Sequence, residues 1–137
     1  MIVVDASVAI KWLIDEPGSE RAQDLLARDD ELVAPDIIRL EVPSAIARRF
    51  RLGDLDADDV AAVLRLWDMS LARGLPSLQD FRRHLPQAVA LSVGLRHPLA
   101  DCLYLAVAEH LDLPMVSADR TLLRRVGDRF PLLRSLD

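Results

Sequence analysis

Four acidic residues in this chain interrupt apolar segments at points where a ligand could be met. Asp5 follows the run Ile2-Val3-Val4, and Asp119 follows Met115-Val116-Ser117. Asp101 breaks an apolar helical pattern that starts at Pro98, and Glu41 lies between Ile38 and Ile46 on the inward side of another helix. Carboxylates gathered in one place repel one another unless a cation lies between them. An all-oxygen set without histidine or cysteine selects Mg²⁺ or Mn²⁺ rather than zinc. Such an ion polarises a phosphoryl oxygen and acidifies a water, so the chemistry these residue types imply is hydrolysis of a phosphodiester. Each acid also has a local reading. Asp5 and Asp119 can cap the helices that follow them, Asp101 can serve a helix N-terminus, and Glu41 can reach to solvent.

Competing chemistries find little support. No glycine-rich loop accompanies Asp5 or Asp119, so a dinucleotide or P-loop phosphate cradle is not expected. No Gly-x-Ser-x-Gly elbow exists for acyl transfer. His84, His97 and His110 show no ligand spacing; His97, before Pro98, is expected in a turn, and His110 at a helix C-terminus. Cys102, on the same apolar helix as Asp101, reads as a small buried hydrophobe.

The elements that position these acids alternate between strand and helix. Ile2 to Val4 reads as a strand buried on both faces, and Ala6 to Ile14 as a helix stopped by Pro17-Gly18. Ser19 is the expected N-cap of a helix over Glu20 to Arg28, and a strand follows at Glu31 to Ala34. Pro35-Asp36 should open a long helix that ends before Gly53, and Asp56 should cap the next, which runs to about Arg73. A short strand is expected at Leu75 to Leu78. Phe81 to Leu95 reads as helical with an interruption at Pro86. A helix from Pro98 to Leu111, a strand at Met115 to Ser117, a helix at Thr121 to Val126 and a strand at Leu132 to Leu136 complete the pattern. Alternating strands and helices imply an α/β fold with a parallel sheet and helices on both faces. Ligands of such sheets lie beyond the carboxyl ends of the strands, where Asp5 and Asp119 fall.

Length and composition bound the rest. The chain has 137 residues, fitting a single domain over 1–137. A hydrophobic fraction of 51% and a net charge of −5 exclude a disordered chain. One cysteine excludes an internal disulfide. The longest uncharged stretch, Leu85 to Leu95, is too short to cross a bilayer, and the N-terminus lacks the features of a signal peptide, so a soluble cytoplasmic protein is expected. Of the 17 basic residues only Lys11 is a lysine. Arginine suits phosphate geometry, and Arg48, Arg49, Arg82, Arg83 and Arg96 are candidates to hold a nucleic acid strand.

Taken together, the motifs resemble those of PIN-domain ribonucleases. Val3-Val4-Asp5-Ala6-Ser7 is similar to the opening motif of that family. Pro35 through Ala45, with Glu41, is similar to the second motif, Asp101 through Glu109 to the third, and Val116-Ser117-Ala118-Asp119 to the fourth. Order, spacing and length match the small VapC-type toxins of toxin–antitoxin pairs. Ser44, Ala100 and Ser117 stand where the family more often has Asn, an aromatic residue and Thr. The resemblance implies a three-layer α/β/α domain and an endoribonuclease dependent on Mg²⁺ or Mn²⁺. Asp5, Glu41, Asp101 and Asp119 would be the acidic quartet, with Asp5 and Asp101 as the most direct metal ligands, and Ser7 and Ser117 would support them by hydrogen bonds. It also implies an RNA substrate, a homodimer and a small antitoxin partner. Two other functions fit the residues: a metal-dependent phosphatase acting on a small ester, with Asp5 as nucleophile, and a catalytically silent subunit that binds the antitoxin.

Overall fold

The computed structural model describes residues 1–137. The chain alternates as expected: β1 (Ile2–Val4), α1 (Ala6–Leu13), α2 (Ser19–Ala27), β2 (Leu32–Pro35), α3 (Ile38–Arg51), α4 (Ala57–Ala72), β3 (Ser77–Gln79), α5 (Phe81–Leu95), α6 (Leu99–Leu111), β4 (Met115–Ser117), α7 (Arg120–Val126) and β5 (Leu133–Ser135). The five strands form one sheet in the order β3-β2-β1-β4-β5. Every pair is parallel, with Val3 level with both Val33 and Met115, and Val4 level with Val116. The first strand is therefore central. The chain builds outward from it to β3, then crosses to β4 on its other side. That reversal of direction opens a crevice at the carboxyl ends of β1 and β4.

Strand alternation sorts the core into two parts. Ile2, Val4 and Leu32 pack with Val8 of α1 and with Ala22 and Leu25 of α2. Val3, Val33, Met115 and Leu133 belong to the larger cluster, filled by Ile38, Val42 and Ile46 of α3, Trp67 of α4, and Cys102 through Ala108 of α6. The sheet is thus covered on both faces, giving the three α/β/α layers expected. No helix is long and apolar enough to cross a membrane.

Several boundaries differ from the sequence reading. Gly18, at φ 91°, caps α2 in place of Ser19; the Ser19 hydroxyl instead donates to the Ile14 carbonyl and accepts from the Glu16 amide, both at 3.0 Å. The side chain is taken up by the preceding loop and is lost to the helix. Pro35 is the last residue of β2 and not the first of α3, because β2 pairs with β3 up to Gln79. Pro86 interrupts nothing: α5 runs unbroken from Phe81 to Leu95. Pro86 is exposed, so the carbonyl its ring displaces can turn toward water. The Asp56 cap is stronger than expected, a reciprocal box in which Asp56 and Asp59 each accept the other's backbone N–H.

Candidate active site

Asp5 occupies the turn between the central strand and α1. Its extended backbone makes it the N-cap of α1, and its Oδ1 accepts the Val8 amide at 3.3 Å. The capping reading is therefore correct, yet it accounts for only part of the side chain. Ser7 Oγ donates to Oδ1 and Ser117 Oγ to Oδ2, each at 2.5 Å. Both hydroxyls accept a backbone amide in turn, Ser7 from Ala118 at 2.9 Å and Ser117 from Asp119 at 3.0 Å. Each amide engages a lone pair of its hydroxyl and leaves the proton to point at Asp5. The support expected of Ser7 and Ser117 is thus built with fixed polarity. Burial pushes the Asp5 carboxyl up to about 6; the Ser117, Ser7 and Val8 hydrogen bonds oppose the rise, and the Asp101 charge adds to it.

Two more carboxylates are held by α6 and the turn before it. Glu41, on α3, is half-buried and accepts the Tyr104 hydroxyl at 2.5 Å on Oε1. Burial raises its pKa, the Tyr104 bond resists, and the charges of Asp101 and Asp5 add to the rise. The Tyr104 phenol is itself pushed far up, chiefly by burial and then by Glu41, so it remains a donor. Asp101 lies in the first turn of α6, and its Oδ2 is 2.6 Å from Nε2 of His97. His97 lies between α5 and α6, where a turn was expected; the sequence reading missed its partner. It is 5% exposed, and its ring fixes a carboxylate. Tyr104 and His97 were legible only as helical spacings, three residues after Asp101 and four before it.

Asp5, Glu41 and Asp101 therefore share one electrostatic field. Asp119 differs. Its Oδ1 caps α7 by accepting the Thr121 and Leu122 amides at 2.9 and 3.1 Å. It lines a cavity next to Ser7, and its charge is not among those that raise Asp5 or Glu41. No three Asp, Glu, His or Cys side chains close into a ready-made metal cage. The donor set nevertheless fits Mg²⁺ or Mn²⁺. It offers only oxygens, and Mg²⁺ keeps several waters and takes one or two carboxylates. Burial raises Asp5 and Glu41 most, and the smaller mutual contribution of Asp5, Glu41 and Asp101 is negative charge that a divalent ion would relieve.

The remaining candidates scatter. Arg48 and Arg49 line the cavity beside Ser7 and Asp119. Arg82 pairs with Asp80 at 2.7 Å, and Arg83 and Arg96 are exposed on and after α5. Cys102 is fully buried, as expected, with its thiol pushed up to about 11 by burial. His110 falls in the last turn of α6 and meets the buried His84 edge-on at 5.3 Å.

Comparison with known proteins places the chain in a family. A family model of the PIN domain matches residues 2–128. The chain is 29% identical over 133 residues to Ribonuclease VapC3 of Pyrobaculum aerophilum, covering 96% of each. It also resembles a solved toxin–antitoxin complex from Klebsiella pneumoniae, with a TM-score of 0.68 at 14% identity over 100% of this chain and 98% of that one. At that identity the likeness concerns the fold.

Proposed function

The chain belongs to the PIN-domain family, and from that premise we propose that it is a metal-dependent endoribonuclease, the toxin of a toxin–antitoxin pair. The observation that carries this reading is the meeting of Asp5, Glu41 and Asp101 at the crevice beside the central strand. The name of the Pyrobaculum relative supports the substrate class.

In this reading Asp5 and Asp101 hold the ion most directly, with Glu41 and Asp119 completing the acidic quartet. Bound Mg²⁺ or Mn²⁺ supplies polarisation of a phosphoryl oxygen and a water of lowered pKa. The chain's own residues do the positioning. Ser7 and Ser117 keep the Asp5 carboxylate in one orientation, Tyr104 holds Glu41, and His97 holds Asp101. Asp5 is 7% exposed and both its oxygens accept hydroxyls, an arrangement suited to a ligand and poorly suited to a phosphoryl-accepting nucleophile.

A homodimer, a small antitoxin partner and a cytoplasmic location belong to the same proposal. Val89 and Val93 on α5, exposed at 45% and 75%, give the chain apolar surface for an interface. The deciding experiment is RNA cleavage by the purified protein with Mg²⁺ or Mn²⁺ against EDTA, alongside Asp5→Asn and Asp101→Asn. Metal-dependent cutting lost in both variants is the expected result. A folded protein that binds neither metal nor RNA would leave the silent-subunit reading standing instead.

A further inference from the structure

A cavity of about 560 Å³ opens beside the carboxylates between α1 and α3. One wall carries Ser7, which bonds Asp5, and Asp119. Lys11, one turn after Ser7 on α1, lines the same cavity with Glu16, Arg48 and Arg49. We propose that this cavity is a nucleotide subsite: it takes the nucleotide adjoining the scissile bond, with Arg48 and Arg49 as contacts to its phosphate. The proposal rests on the ribonuclease reading and extends it to where the strand leaves the metal centre.

The basic wall is organised in advance. Arg49 pairs through Nη2 with Glu16, and Lys11 Nζ meets the same carboxylate at 3.0 Å and the Pro17 carbonyl at 2.7 Å. Burial pushes Glu16 up, but Arg49 and Lys11 outweigh it and hold the group below its usual range, so the clamp stays ionised. Gly18 lets the Lys11 stem lie against the backbone; a Cβ there would come within 3.3 Å of Lys11 Cε. The remaining guanidinium donors of Arg49 find no partner in the chain, and Arg48 is exposed without an ion pair. Lys11, Arg48 and Arg49 against Glu16 leave this part of the lining positive, in a space of ligand size that also reaches Asp119 (roughly 300–1,000 Å³ for small-molecule pockets). An anion one step from a cation-filled acidic centre suits such a lining, as an RNA backbone does. Ile10 and Ala45 supply apolar surface for the sugar and base.

The test is binding of a fluorescein-labelled single-stranded oligoribonucleotide of mixed sequence, followed by anisotropy across a salt series in EDTA. Arg48→Ala and Arg49→Ala should each lower the log K against log salt slope by about one and weaken binding roughly three- to tenfold. Arg21→Ala, in a separate cavity lined by Met1, Ile2 and Pro114, should change neither. Glu16→Gln removes the one negative charge from the basic wall and should tighten binding, whereas a role confined to stapling the loop predicts no gain. Should Arg49→Ala fail to fold, Arg48→Ala and Glu16→Gln still decide. Slopes for Arg48→Ala equal to wild type and Arg21→Ala, or a Glu16→Gln variant that binds no better, would overturn the subsite. Cleavage by wild type in Mg²⁺ is scored separately. RNA cut normally with no arginine effect sinks the subsite alone, and arginine-dependent binding without cleavage sinks the ribonuclease reading alone.

Discussion

Replacing Asp5 with asparagine should make the metal-free protein more stable while removing its function. In the folded chain burial pushes the carboxyl up to about 6 from its ordinary value of 3.8. At about 1.4 kcal/mol per pKa unit, ionising Asp5 in the fold costs about 3 kcal/mol more than in the unfolded chain. The sign follows from proton uptake. A raised carboxylate pKa means the native state binds more protons between pH 3.8 and about 6, so this stability is present below 3.8 and lost as pH rises through about 6. Asparagine avoids the buried charge. Its amide, however, sets a donor against one of the two hydroxyls aimed at this position, which returns about 1–2 kcal/mol. A net gain of about 1–2 kcal/mol at neutral pH remains, or roughly 3–8 °C in Tm. Urea denaturation of both proteins in EDTA across the acid range isolates Asp5 and its smaller coupling to Glu41 and Asp101, because carboxyls not coupled to it cancel in the difference. The difference should grow in favour of Asp5→Asn from pH 4 to above 6, and Mn²⁺ should raise only wild type appreciably. A difference flat with pH, or an asparagine variant that is the less stable at neutral pH, would refute the reasoning that burial dominates at this position.

Other residues yield shorter tests. Tyr104→Phe removes the donor from Glu41 and should lower stability by about 1–2 kcal/mol, with weaker Mn²⁺ binding by calorimetry. His97→Ala frees Asp101 and should weaken Mn²⁺ binding roughly 10–100-fold, with His97→Gln recovering part of the loss by restoring a donor. Cys102 should resist iodoacetamide in the native state at neutral pH and react on unfolding, since its thiol is buried and pushed up to about 11; mass spectrometry of the labelled chain decides.

The order of elements was legible because each strand is a short continuous apolar run and each helix has a clear stop. The carboxylates were legible because a buried acid conflicts with its surroundings. What escaped was local competition for hydrogen bonds. Ser19 reads as a cap, but the loop before it captures the hydroxyl. His97 reads as a turn residue, since its partner Asp101 counts as an unoccupied ligand until both lie on adjoining turns. Tyr104 disappears into an apolar run because its ring is core while its hydroxyl is not. The fourth acid, Asp119, shows the reverse: it lies beside Ser7 as the spacing suggested, while its own hydrogen bonds are those of a cap.

The central strand precedes the other four in the chain, and its neighbours in the sheet are β2 and β4. Asp5 follows it directly, yet the hydroxyl on its Oδ2 belongs to Ser117, a separation of 112 residues. A chain without β4 can fold α1, pair β1 with β2 and hold Asp5 Oδ1 through Ser7 and Val8, but it leaves Oδ2 without its hydroxyl. The site is therefore complete only once β4 inserts beside β1. A chain cut before β4 would keep Asp5, Glu41 and Asp101 and lose the Ser117 hydroxyl that holds Asp5.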